Sequence, residues 1–326
     1  MKNILRDKVK DLLRPGYYAC KDILDPQGRK RLKKNIILND LYSGKRAFLL
    51  LTGESLQQVD INKLKDEYTM GANLIFLHED IGKIGLDYFV ILGNEKIMCP
   101  ALPQWSEYQL GPLGHAESYR EIDKRLGHET ILILHSDTYK CIEKHAIFQQ
   151  KTIYYAKCKK RLRAPVGVPY NVVADLTRRS ISGGGVVFFS ILIMLYMGFK
   201  EIYLCGAGYT YEPTYQCHFY DNRIFPMSMG RKSAEIEARK AIDARNRKTG
   251  STAEYFGLFE KGSFYRSICV MKKGEGSYVD HRILNDYARS QGLKIYNIVP
   301  DGFESPVYEK VTWEEVENDI LSGEPA

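Results

Sequence analysis

The sequence predicts an α/β protein with a Rossmann-like, mostly parallel sheet, helices on both faces and an inserted lid segment. Three observations predict this fold. Short apolar runs of strand length recur along the chain. At two positions a glycine-bearing turn is followed by a helix-like stretch. In addition, a wholly apolar segment lies between a glycine loop and the next apolar run of strand length. Strand, tight turn and helix is the repeating unit of a parallel sheet.

The predicted elements follow in order from these patterns. The first strand is Ala47–Thr52, and the turn after it leads into a helix that reaches Lys65. The other predicted strands are residues 72–77, 87–92, 130–134, 152–156, 201–205 and 293–298. The predicted helices are residues 1–13, 186–197, 233–248, 280–291 and 313–321.

The predicted organisation is one α/β domain with an insertion. Residues 1–46 form a basic N-terminal extension, residues 47–206 and 277–326 form the Rossmann-like domain, and residues 207–276 form a lid. An insertion at the carboxyl end of a central strand lies where open α/β sheets bind ligands.

The composition is that of a globular protein. The 326 residues are 44% hydrophobic and 27% charged, which excludes disorder for the bulk of the chain. No apolar run approaches the ~20 residues of a membrane span. The seven cysteines are widely spaced without a Cys-x-x-Cys pair, and the histidines are scattered. These patterns predict a reduced, cytoplasmic protein without a metal site.

The net charge of +7 is concentrated in two segments. Residues 1–46 hold 13 Lys or Arg against five Asp or Glu, and residues 151–180 hold eight against one. Such segments attract phosphate on a nucleotide, an anionic membrane or a nucleic acid. The first segment therefore predicts a peripheral contact with the inner membrane, and a solvated leader is the alternative.

Two glycine turns point to a phosphate-bearing ligand, because glycine lets phosphate approach the free N–H groups of a helix N-terminus. They are Gly53-Glu54-Ser55 and the segment 182–185. Neither matches the dinucleotide fingerprint or the phosphate loop ending in Gly-Lys-Ser/Thr, which argues against a nicotinamide dehydrogenase or ordinary ATPase. The turns predict nucleotide or nucleotide-sugar binding, and glycines that serve loop geometry alone are the alternative.

Four short blocks, residues 44–60, 71–76, 182–203 and 280–297, resemble bacterial sialyltransferases that have one Rossmann-like domain and a lid, the GT-A-variant type. The pattern is also similar to that of motility accessory factors and of an archaeal hydroxymethylpterin diphosphokinase. The resemblance implies a pocket for a cytidine monophosphate (CMP) sugar. The implied donor-binding residues are Thr52, Gly53, Ser55, Asn73, Ser182, Gly183 and Gly184.

Two features depart from these families. Thr52 and Glu54 stand where the sialyltransferases have Asn and Pro, and Glu54 places a negative charge near the expected phosphate. The chain has Gly206-Ala-Gly208 where related families show Gly-x-Asp. The missing carboxylate removes an expected metal ligand or ribose contact and counts against the metal-dependent diphosphokinase.

The lid contains a cluster of aromatic and imidazole side chains after the last central strand. Its members are Tyr209, Tyr211, Tyr215, His218 and Tyr220. By the resemblance, Tyr211 and Tyr215 would bind the donor phosphate. A base must take the acceptor proton, and His218 is the candidate, with Glu275 and His281 as substitutes. The alternative is a partly buried loop without a catalytic role.

These observations together predict an inverting, metal-independent glycosyltransferase of lipopolysaccharide or capsule synthesis. It would transfer a sialic-acid-like sugar from a CMP-activated donor to a surface glycan or lipid-linked acceptor and require no further cofactor. The alternatives are a diphosphokinase-like phosphotransferase, a non-catalytic nucleotide- or anion-binding relative, and a nucleic-acid or scaffold protein. Nucleic acid is not an expected partner, because the chain outside the two basic segments is net negative, which indicates local anion contacts instead. The sequence does not predict the acceptor, the sugar or the oligomeric state, and a homo-oligomer is one alternative.

Overall fold

A computed structural model describes residues 16–91, 115–160, 172–182, 185–207, 276–300 and 305–321. Within these ranges the strands are β1 (Arg46–Leu50), β2 (Tyr68–Ala72), β3 (Tyr88–Ile91), β4 (Ile131–His135), β5 (Ile153–Ala156), β6 (Cys158–Lys160), β7 (Ser180–Ser182), β8 (Glu201–Cys205), β9 (Lys294–Ile298) and β10 (Glu309–Val311).

The main sheet of the described residues has eight strands in the order β10-β9-β8-β1-β2-β3-β4-β5, and β6 pairs with β7 separately. Every strand pairing in it is parallel. Residues 47–50 of β1 are all buried, since helices cover both faces of the sheet. The predicted α/β fold with a mostly parallel sheet is therefore confirmed, and the main-sheet pairings in the described part of the chain are all parallel.

Residues 16–23 are helical, and the further α-helices of the described residues are α1 (Pro26–Lys33), α2 (Ile81–Ile84), α3 (His115–Arg125), α4 (Tyr139–His145), α5 (Gly185–Tyr196), α6 (Gly276–Ser290) and α7 (Trp313–Glu315). α5 and α6 contribute to the core on one face of the sheet. α2, α3 and α4 contribute to the core on the other face. α5 is buried from Phe188 to Tyr196, as expected for an apolar helix between two layers.

Two predicted elements differ from the structure. The second strand is Tyr68–Ala72, and the apolar run predicted as strand forms a 3-10 helix, Asn73–Leu77. The predicted helix after β1 is two 3-10 helices, Glu54–Gln58 and Ile61–Leu64. Asp60 separates them, because its side chain accepts a hydrogen bond from the Asn62 N–H and starts the second turn.

The remaining strands and helices lie close to their predicted bounds, and β8 coincides with its prediction. The sequence did not predict the helical stretch 16–23, α1, α2, α3, α4, β6, β7 or β10. The final helix begins at Trp313 as predicted and continues as a π-helix, Val316–Leu321. The predicted helices 1–13 and 233–248 and nearly all of the predicted lid lie outside the described residues. In the described part of the chain, no helix is both long and apolar enough to span a bilayer.

Candidate active site

The strand order places a topological switch point between β1 and β8. From β1 the chain builds the sheet outward through β2 to β5, and it later builds the other half through β8, β9 and β10. Ligands of open α/β sheets bind at the carboxyl ends of the strands, where the order reverses. The candidate site therefore lies beyond Leu50 and Cys205, the last residues of β1 and β8.

Main-chain hydrogen bonds hold the two loops of this switch point together. The Leu51 N–H donates to the Cys205 carbonyl, and the Gly53 N–H donates to the Gly206 carbonyl, each at 2.8 Å. Gly206 has a φ of +74°, and a Cβ at this position would lie 2.8 Å from the Leu51 carbonyl oxygen and 3.1 Å from the Leu56 Cβ. This close approach requires glycine and fixes the first loop against the end of β8.

The first loop contains a buried hydroxyl without a partner. Thr52 and Ser55 are only 8% and 3% exposed. Among the described residues, Ser55 Oγ is buried and has no hydrogen-bond partner. A buried polar group without a partner costs about 1–3 kcal/mol. Such a group at a switch point is well suited to meet a ligand.

Asn73 lies beside this loop in a left-handed conformation. It directly follows β2, which pairs with β1, and its φ is +59°. Non-glycine residues seldom adopt this conformation, although Asn tolerates it best. Its side chain is exposed, which leaves the amide accessible at the carboxyl edge of the sheet. Because β2 ends at Ala72, Asn73 follows its strand, as the resemblance requires.

The third predicted loop leads into the N-terminus of α5. Ser182 ends β7, and α5 begins at Gly185, whose φ is +85°. α5 shares a core with Leu49, Met70 and Leu204 of β1, β2 and β8. Because α5 precedes β8 and runs back along the sheet, its N-terminus lies at the carboxyl edge. Free N–H groups and the helix dipole favour an anion there.

The structure thus brings part of the predicted site together. Thr52, Gly53, Ser55 and Asn73 follow two adjacent strands at one edge of the sheet. The other predicted site residues lie outside the described residues: Gly183, Gly184, Tyr211, Tyr215, His218 and Glu275. Their roles stay predictions.

The structure does not favour His281 as a substitute base. Its side chain is 0% exposed on α6. Its Nδ1 lies 2.6 Å from the Tyr308 hydroxyl, and its ring packs edge-on against Phe188. An acceptor hydroxyl would have to enter the core to reach this imidazole.

Two histidines near the carboxyl edge were not singled out from the sequence. His135 ends β4, and His78 follows the 3-10 helix after β2. Burial lowers the pKa of both, so the rings are neutral near pH 7. His78 Nδ1 accepts a hydrogen bond from the Asp80 N–H at 3.3 Å, and His135 Nδ1 accepts one from the Asp137 N–H at 3.2 Å. The proton therefore resides on Nε2, which makes these rings donors rather than bases. Each histidine follows or ends an apolar run, and this position is the sequence signal that could have predicted it as a site residue.

Two further observations describe the surroundings of the site. A cavity of about 420 Å³ opens at the opposite end of the sheet, between the C-terminal ends of α5 and α6, and is lined by residues such as Gly198, Lys200 and Gln291. It is therefore not the switch-point crevice. Within the described ranges, no three His, Cys, Asp or Glu side chains are grouped so that they could hold a metal ion.

The comparisons with known proteins give a distant likeness. No family model matches the sequence, and no curated protein matches it. The structure is similar to that of the sialyltransferase CstII from Campylobacter jejuni in complex with the substrate analogue cytidine-5'-monophosphate, with 11% identity over 83% of this chain and 86% of that chain and a TM-score of 0.38. The monofunctional alpha-2,3-sialyltransferase Cst-I from Campylobacter jejuni gives 10% identity over 79% and 77%, with a TM-score of 0.37. At this distance the likeness carries no conclusion about substrate or mechanism.

Proposed function

We propose that this protein is a glycosyltransferase that moves a sialic-acid-like sugar from a CMP-activated donor to a surface glycan or lipid-linked acceptor. It acts in the cytoplasm, at the inner membrane. One observation carries the proposal: the unpartnered Ser55 Oγ and the left-handed Asn73 follow adjacent strands at the switch point. Both residues belong to sequence blocks that resemble the sialyltransferase motifs.

The chemistry of these groups suits a nucleotide. A hydroxyl and a carboxamide can both donate and accept, so Ser55 and Asn73 complement a ribose and a pyrimidine base. The N-terminus of α5 complements the single phosphate of a CMP sugar. The carbonyls of Leu51 and Gly53 lie close to Gly206, so the first loop is held in place before a ligand binds.

In the proposed reaction, the acceptor hydroxyl attacks the anomeric carbon of the sugar while the bond to the CMP phosphate breaks on the opposite face. His218 takes the acceptor proton, with Glu275 as the alternative base. Tyr211, Tyr215 and the α5 N-terminus stabilise the negative charge on the departing CMP. The charge stabilisation comes from hydrogen-bond donors, so we expect transfer to continue in EDTA.

The phosphotransferase alternative is less well supported. A diphosphokinase holds Mg²⁺ with carboxylates near the nucleotide phosphates. The chain has Gly206 and Ala207 directly after β8, and Gly206 packs against the first loop. This alternative predicts Mg²⁺-dependent ATP binding, which a titration with and without Mg²⁺ would reveal.

The transferase proposal is tested by CMP release from CMP-N-acetylneuraminic acid, alone and with lactose as acceptor, in buffer that contains EDTA. We expect His218→Ala to lower the rate about 10²–10⁴-fold, as loss of a general base does. His128→Ala, at an exposed histidine between α3 and β4, is the matched control and should retain the rate. CMP binding without CMP release would identify a non-catalytic relative. Absence of both would refute the proposal.

A further inference from the structure

The described part of the basic N-terminal segment carries an apolar and cationic surface. Residues 26–38 contain five Lys or Arg and no Asp or Glu. Among the described residues, six of the seven exposed large apolar side chains lie between Tyr17 and Leu41. We define the N-terminal patch by its exposed apolar and basic side chains: Ile23, Leu24, Ile36, Ile37, Leu41, Arg29, Lys30, Lys33 and Lys34.

Buried contacts pack the segment that carries the N-terminal patch against the domain. Asn35 Nδ2 donates to the carbonyls of Tyr155 and Leu176, both at 2.8 Å. Leu32 and Leu38 are 2% and 1% exposed. The segment is therefore packed against the sheet at β5, and its outward side chains have a fixed arrangement.

Helix geometry explains why the apolar side chains face outward. Residues 34–38 form a 3-10 helix with about three residues per turn. Asn35 and Leu38 therefore share the inner side, and Ile36 and Ile37, 64% and 62% exposed, are left on the outer side. Folding alone does not explain these two exposed isoleucines, because large apolar side chains gain nothing from contact with water.

The outer side of α1 supplies the charge. Gly28 and Leu32 are its buried positions, and Arg29, Lys30 and Lys33 are exposed. Within the described residues, the three lysines of the patch form no ion pair. The exposed apolar side chains therefore lie at both ends of α1, and the cations lie between them. This pattern is typical of a surface that lies in a membrane interface.

We infer that the N-terminal patch binds the surface of an anionic lipid bilayer. Its lysines attract anionic headgroups, and its isoleucines and leucines insert at the acyl boundary. A second copy of this chain is a poorer occupant, because it would bring two cationic segments face to face. The inference assigns residues to the membrane contact of the proposed function, and it needs neither a bound donor nor transferase activity.

The patch extends from the amino end of the sheet to its carboxyl end. The Asp40 N–H donates to the carbonyl of Tyr196, the last residue of α5, at 3.0 Å. The chain around Leu41 therefore lies at the amino end of the sheet, next to the start of β1. The other end of the patch, around Ile23 and Leu24, lies at the carboxyl end of β5, where Lys157 Nζ is 2.6 Å from Asp25 Oδ2.

Flotation of the full chain with vesicles tests the inference. The vesicles are phosphatidylcholine alone, or phosphatidylcholine with 30% phosphatidylglycerol. We expect binding to the anionic vesicles only, and loss of binding as salt rises. Lys30→Gln with Lys33→Gln should weaken binding about 30-fold. The matched control, Lys65→Gln with Lys124→Gln, removes the same charge at exposed lysines elsewhere and should bind like the unaltered chain.

A second pair of variants separates insertion from charge. Ile36→Ser with Ile37→Ser should weaken binding roughly 10-fold or more, while the unfolding temperature stays the same because both side chains are exposed. The inference is overturned if the chain does not float with anionic vesicles, or if both patch variants bind like the lysine control. It is also overturned if the isoleucine variant splits a dimer in sedimentation analysis while vesicle binding stays unchanged.

Discussion

Gly206→Ala should destabilise the protein through the contact that joins the two switch-point loops. The left-handed φ of +74° alone costs an alanine about 1–2 kcal/mol. The added Cβ would also lie 2.8 Å from the Leu51 carbonyl oxygen, which belongs to the main chain. Overpacking of this kind costs a further ~1–3 kcal/mol. We therefore expect a loss of about 2–5 kcal/mol in the free energy of unfolding.

Gly292→Ala is the matched control for this measurement. Its φ of +72° is nearly the same, but an added Cβ would meet nothing within 4 Å. Urea denaturation should therefore show a loss of only about 1–2 kcal/mol for this variant. The difference between the variants isolates the clash at the switch point. Equal losses, within about 0.5 kcal/mol, would refute the close approach of Gly206 to the first loop.

Three further variants test other contacts. Asn73→Gly should keep or slightly raise stability, because glycine relieves the left-handed φ of +59°, but weaken CMP binding in calorimetry; unchanged binding would remove Asn73 from the site. Burial raises the pKa of Asp22, but the hydrogen bonds and charges of Arg179 and Lys157 together outweigh this and lower it. This stabilisation is present above the unfolded pKa of about 4 and is lost as the pH falls through the lower folded value. Asp22→Asn should therefore flatten the loss of stability below pH 5, and an unchanged pH profile of urea denaturation would contradict the pairing. His281→Ala should lower the free energy of unfolding by about 2–4 kcal/mol and leave CMP binding unchanged, since His281 lies in the core. Weaker CMP binding with unchanged stability would instead support His281 as a residue of the site.

The fold could be predicted because its strands are buried on both faces and therefore read as continuous apolar runs. β8 and α5 are the clearest cases, since glycines bound the apolar segment before β8. β2 was misplaced for a physical reason. Tyr68–Ala72 contains Gly71, where a Cβ would lie 2.6 Å from Leu86 Cδ1, so tertiary packing rather than local pattern selects this strand. A short apolar run cannot distinguish strand from helix by periodicity alone.

The candidate site could be predicted only in part. The glycine turn after an apolar run indicated Gly53 and Ser55, because that turn is a local feature. The left-handed φ of Asn73 and the approach of Gly206 to Leu51 depend on how distant segments meet, which no local pattern encodes. The sequence did not predict His78 and His135, because a single histidine near a strand end gives a weaker signal than a closely spaced pair of histidines.

Calorimetric titration with CMP tests the central claim most directly. We expect CMP to bind and Ser55→Ala to weaken binding about 10-fold, the worth of one hydrogen bond to a ligand. Ser190→Ala is the matched control, because Ser190 Oγ is also buried without a partner among the described residues but lies within α5. It should leave CMP affinity unchanged. Absence of CMP binding, or equal affinities for both variants, would contradict a nucleotide site at the switch point of the sheet.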